Sequence, residues 1–66
     1  MRLIIDGFEE NHPDGLTVAD LLDRLNEPPQ DLVFELNHRY VNKKDYAATR
    51  LQDGDQVELI HAAFGG

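Results

Sequence analysis

The sequence predicts an α+β fold, in which a mixed sheet of four to five strands carries one main helix across one face. Two observations point to it. Only one stretch has helical periodicity, with Val18, Leu21, Leu22 and Leu25 at i, i+3, i+4 and i+7. The stretches around it alternate apolar and polar residues with the period of two that a half-buried strand requires. One helix covers only one face of a sheet, so the other face is left open. All 66 residues are expected to form a single domain, because a chain of this length has room for one small core.

Met1 to Asp6 is the first strand, with Met1, Leu3 and Ile5 on one face and Arg2 and Ile4 on the other. Asp6-Gly7 is a two-residue hairpin signal, since both central positions of a type I′ turn need positive φ. Phe8 to His12 therefore returns antiparallel, and Pro13-Asp14-Gly15 ends it as a loop. Thr17-Val18-Ala19-Asp20 has the form of a helix start, with threonine capping free N–H groups and aspartate near the positive end of the helix dipole. Asn26 is placed to stop that helix, and Pro28-Pro29 forbids its continuation.

Leu32, Phe34 and Leu36 alternate with Val33 and Glu35 in a third strand, and Asn37-His38 turns the chain into a short fourth, Arg39 to Val41. Asn42 to Arg50 is irregular, with at most a helical turn near Lys43 to Tyr46. Gln52-Asp53-Gly54-Asp55 is a tight turn with Gly54 in the left-handed position. Gln56 to Ala62 is the last strand, with Val57, Leu59 and His61 facing one way and Glu58, Ile60 and Ala62 the other. Because the long connection contains the helix, the first and last strands are free to pair in parallel. His61 is read as a partly buried histidine with a satisfied hydrogen bond.

Composition narrows the function. There is no cysteine, and hence no disulfide framework, no thiolate metal site and no persulfide on this chain. Thirteen acidic against six basic residues give a net charge of −7, which repels phosphate backbones and anionic lipid. Neither nucleic acid nor a membrane surface is an expected partner, and a basic protein surface is the natural complement. No basic segment leads into an apolar one at the start, so the expected location is the cytoplasm. His12, His38 and His61 show no metal-ligand spacing, the chain has no serine, and Thr17 is explained as a cap. No catalytic residue, bound cofactor or metal site is expected on this chain.

The end of the sequence is more informative. Ala62-Ala63-Phe64-Gly65-Gly66 follows the last strand. Two glycines make a stalk able to enter a channel too narrow for side chains, with the carboxylate of Gly66 at its tip. Such a group can be presented inside another protein's active site, activated there, and used as a carrier. If Leu3 faces the helix, Ile4 and Ile60 face the open side. Adjacent first and last strands are then expected to set Ile4 beside Ile60, with Phe64 just beyond, as an apolar docking patch next to the stalk.

Thr17-Val18-x-x-Leu21-Leu22, Phe34-Glu35-Leu36-Asn37 followed by Val41, Leu51-x-Asp53-Gly54-Asp55-x-Val57-Glu58-Leu59-Ile60 and the final Gly65-Gly66 together resemble the ThiS/MoaD family of sulfur carrier proteins, over essentially the whole chain. The resemblance implies a β-grasp, ubiquitin-like fold and a monomer when free. It implies that an E1-like, ThiF-like adenylating enzyme uses ATP and magnesium, both held by that partner, to activate the Gly66 carboxylate. Sulfur from a cysteine desulfurase or another donor then leaves a thiocarboxylate on Gly66, with Gly65 supplying clearance. For the thiamine branch, favoured by the short length, it implies a ThiG-like thiazole synthase as acceptor. Phe64 departs from the family pattern, which often has a small residue before Gly-Gly, and such a ring can fill a pocket specific to one partner. Other readings are a MoaD-like carrier or one serving tungsten-cofactor or cysteine synthesis, a ubiquitin-like modifier, and a β-grasp interaction module that does no chemistry.

Overall fold

In the computed structural model, which describes residues 1–61, the hairpin and helix signals act where the sequence puts them. Strand β1 spans Arg2–Ile5 and β2 Phe8–Asn11, joined through Asp6 at φ 51° and Gly7 at φ 87°. Helix α1 spans Val18–Arg24. Strand β3 covers Leu32–Leu36 and β4 Arg39–Val41, and their turn also takes positive φ at both central residues, Asn37 at 51° and His38 at 67°. A 3₁₀ turn follows at Lys43–Asp45, and β5 runs from Gln56 to His61.

The strands form one sheet in the order β2-β1-β5-β3-β4. The first and last strands pair in parallel, and the other neighbours are antiparallel. β5 is therefore the central strand, and its far end, His61, lies opposite Leu32 at the start of β3. This mixed five-stranded sheet with one helix is the expected α+β, β-grasp architecture.

Local chemistry fixes the ends of α1. Thr17 Oγ1 accepts from the Asp20 N–H at 3.1 Å, while the Asp20 carboxylate accepts from the Thr17 N–H at 3.0 Å, a complete capping box. At the other end Asn26 takes φ 56°, and the Glu27 N–H reaches back to the Leu22 carbonyl at 2.9 Å. The last carbonyls are thereby satisfied in a Schellman-type stop.

The core lies between α1 and one face of the sheet. Val18, Leu21 and Leu22 from the helix meet Leu3, Ile5, Leu32, Phe34 and Val57 from the strands. Tyr46, in the irregular stretch, and Leu51, just after it, are also buried, and the Tyr46 ring lies against Phe34 with centroids 5.9 Å apart. His61 corrects the sequence expectation. It has the helix-side parity, but its side chain is 59% exposed, because the helix has ended before that level and only Glu27 reaches it, with 2.8 Å between Nε2 and Oε2.

Candidate functional site

Two regions carry the residues singled out by the sequence, namely the end of β5 and the open face of the sheet. Ala62 to Gly66, including Phe64, Gly65 and Gly66, lie outside the described residues. His61 is the last residue of β5, paired with Leu32, and its ring contacts Glu27 in the loop after the helix.

The expected neighbourhood of Ile4 and Ile60 is corrected by the register. Both face away from the helix, but Ile4 lies opposite Gln56, four residues before Ile60 on β5. At a strand rise of about 3.3 Å per residue the two levels are about 13 Å apart. β1 has turned away at Asp6-Gly7 before reaching the level of Ile60. The neighbour of Ile60 is Val33 on β3. Ile60 is 44% exposed and Val33 37%, while Ile4 is half-buried.

One step down the sheet, Glu58 of β5 pairs with Glu35 of β3, and Glu35 pairs with Tyr40 of β4. Tyr40 is exposed. The open face thus carries an apolar pair, Ile60 and Val33, bordered by two facing carboxylates and a tyrosine. Carboxylates directly opposite across a ladder repel, and His38 stands only loosely beside Glu58, at 3.8 Å. Such a border is relieved when a cationic surface covers it. Val33 and Tyr40 escaped the sequence reading because strand order and register decide which outward residues meet. The exposed Val33 in the third strand was the available signal.

The other polar motifs hold the fold. In Gln52-Asp53-Gly54-Asp55 the Asp53 carboxylate accepts the Arg2 N–H at 2.7 Å, and the Asp55 carboxylate accepts the Gln52 N–H at 2.8 Å and the Asn37 side-chain amide at 3.1 Å. Asn37 in turn accepts from the Gln56 N–H at 2.9 Å, tying the β3-β4 turn to the start of β5. Asp6 accepts the Leu59 N–H at 3.0 Å where β1 stops pairing. The Thr17 backbone and side-chain hydrogen bonds hold the Asp20 carboxyl below its ordinary range, and burial pushes the Tyr46 phenol up. The three histidines stay separate, each beside a glutamate: His12 with Glu10, His38 with Glu58, His61 with Glu27. Among the described residues no group of three His, Asp or Glu is placed to hold a metal ion, and no helix is long and apolar enough to cross a membrane.

A concave feature lies beside the end of β5. A groove of about 590 Å³ runs between α1 and the 3₁₀ turn, with Leu22, Pro28 and Tyr46 among its apolar lining and Lys43 and Lys44 on one wall. Its opposite wall includes Asp23 and Glu27, the latter being the residue that contacts His61.

Comparison with known proteins gives consistent results. The model of the ThiS family matches residues 2–66. A crystal structure of the thiamine biosynthesis protein ThiS from Geobacter metallireducens superposes with a TM-score of 0.88 at 29% identity, covering all of both chains. A solution structure of the Geobacter metallireducens thiamine biosynthesis protein gives 0.81 at 29% identity, covering all of this chain and 88% of that one. The sulfur carrier protein ThiS of Escherichia coli K12 is 33% identical over 52 residues, 79% of each chain. A thiazole synthase of Paramagnetospirillum magneticum is 35% identical over all 66 residues, as is one of Magnetococcus marinus at 33%, and the chain spans 20% of the length of each.

Proposed function

Since the chain belongs to the ThiS family, we propose that it is a sulfur carrier for thiazole formation in thiamine biosynthesis. The Gly66 carboxylate attacks the α-phosphorus of ATP on an E1-like, ThiF-like enzyme, and pyrophosphate leaves. The resulting acyl-adenylate has exchanged a poor leaving group for a good one. A persulfide from a cysteine desulfurase then attacks the carbonyl carbon and AMP leaves, giving an acyl disulfide whose S–S bond a second thiol cleaves, forming a disulfide and releasing the thiocarboxylate; sulfide from another donor reaches the same product in one step. Gly66 is left as a thiocarboxylate. ATP and magnesium belong to the partner, and this chain supplies the acyl group and the surface that positions it.

The observation that carries this reading is the family match through Gly65 and Gly66, on a domain whose polar motifs are occupied in holding turns and strand ends. The absence of side chains at 65 and 66 suits passage through a narrow channel to a buried nucleotide. Two relatives named thiazole synthase contain a segment similar to the whole of this chain, which supports a ThiG-like thiazole synthase as the acceptor. The Ile60–Val33 pair with its acidic border is the docking surface that brings the tail to the adenylating enzyme, and Ile4 lies at its far margin. Phe64, between this surface and the glycines, is the position at which partners are distinguished.

An E1-like, ThiF-like adenylating enzyme tests the reading through ATP–pyrophosphate exchange. Intact chain should stimulate the exchange, and a chain lacking Gly66 should not. Equal stimulation by both would overturn the assignment of Gly66 as the acyl site.

A further inference from the structure

We propose that the groove between α1 and the 3₁₀ turn is a parking site for this chain's own C-terminal segment, with the Phe64 ring in the groove and the Gly66 carboxylate against Lys43 and Lys44. Three independent features lead to it. The first is position. β5 ends at His61 opposite Leu32, and β4 leaves the sheet at Val41, two strands away and at the same end, so that Lys43 follows within two residues. Two strand spacings come to about 10 Å, whereas the five residues after His61 extend at most about 17 Å. The tail starts within reach of the groove.

The second feature is its direction of entry. Glu27 is both a wall of the groove and the partner of His61 at 2.8 Å. The root of the tail is therefore held on the helix side of the sheet at the groove's edge.

Charge and shape are the third. Lys43 and Lys44 are the only lysines in a chain of net charge −7. They are exposed, adjacent, and on the wall opposite Asp23 and Glu27. Among the described residues neither forms an ion pair. A carboxylate entering the groove is repelled by one wall and attracted to the other, which fixes its orientation. A volume of about 590 Å³ accepts one aromatic ring with the side-chain-free backbone after it. The apolar surfaces of Ala19, Pro28, Pro29 and Ala47, over the buried Leu22 and Tyr46, match the one large apolar side chain that the tail has. This also gives Phe64 a role within the free chain.

Docking withholds the carboxylate from any partner. If the tail is parked roughly nine-tenths of the time, the apparent affinity of a partner that needs it free falls about tenfold. That consequence rests on the proposed carrier function, whereas the docking itself does not.

The test is a comparison of backbone amide NMR spectra of the full chain, the chain lacking residues 62–66, Phe64→Ala and Lys43→Gln/Lys44→Gln, with thermal melts confirming that each is folded. Deletion and Phe64→Ala should shift the amides of Leu22, Tyr46 and Ala47 in the same direction, the lysine pair should shift them part of the way, and no shift should depend on protein concentration. Unchanged groove amides on deletion would overturn the proposal. Shifts that grow with concentration would overturn it in favour of a second copy's tail in the groove. If the groove amides respond as expected but no variant is adenylated, the parking site stands and the carrier reading fails.

Discussion

Thr17 and Asp20 show how much one short motif decides. Each completes the other's hydrogen bond, so removing either leaves a backbone N–H at the helix start without its partner. Thr17→Ala should cost about 1 kcal/mol of stability, read from the midpoint of urea unfolding. The Asp20 carboxyl is held below the ordinary aspartate range by those bonds. Its ionised form therefore favours the folded state. This contribution is present in full above the unfolded value and is lost as the pH falls through the lower folded value. Asp20→Asn should accordingly remove part of the stability lost on acidification below about pH 4, and acid titration by circular dichroism measures it. Phe34 is fully buried against Tyr46. Phe34→Ala should cost about 3–5 kcal/mol, comparable to the whole stability expected of so small a core, and should leave the chain largely unfolded at 25 °C.

At the scale of elements, the open face of the sheet carries the functional prediction. Ile60→Glu adds a charge to a side chain already 44% exposed, so the fold should keep its melting temperature within a few degrees. Binding to the adenylating enzyme should fall by at least about tenfold, the effect of 1.4 kcal/mol. Unchanged binding by the folded variant, measured by calorimetry, would remove Ile60 from the docking surface. The helix, the Asp6-Gly7 and Asn37-His38 turns and the alternation of β1, β3 and β5 were legible in the sequence, because they depend on near neighbours. Which strands adjoin and at what register depends on distant segments. Ile4 was therefore expected beside Ile60, whereas the Asp6-Gly7 turn ends β1 at the level of Val57. The same limit hid Val33 and Tyr40. Tyr46 was missed as a core residue because it serves the core from an irregular segment, and Leu51 because it stands alone between that segment and a turn; His61 was expected to be more buried because parity gives a face but not where the helix above it ends.

The whole molecule combines a strongly acidic composition with an apolar pair, Ile60 and Val33, on the open face of the sheet. A net charge of −7 speeds encounter with a basic partner and slows it as salt shortens the screening length. The association rate with the adenylating enzyme should therefore fall steeply as salt is raised, while the dissociation rate, set by the apolar contact, changes little. Stopped-flow measurements separate the two. The central claim is that Gly66 becomes a thiocarboxylate. Intact-protein mass spectrometry tests it most directly, after incubation with the adenylating enzyme, ATP, magnesium and sulfide. The account predicts a mass increase equal to the difference between one sulfur and one oxygen atom, dependent on ATP and absent when Gly66 is deleted. An unchanged mass with an enzyme shown to bind this chain would contradict it.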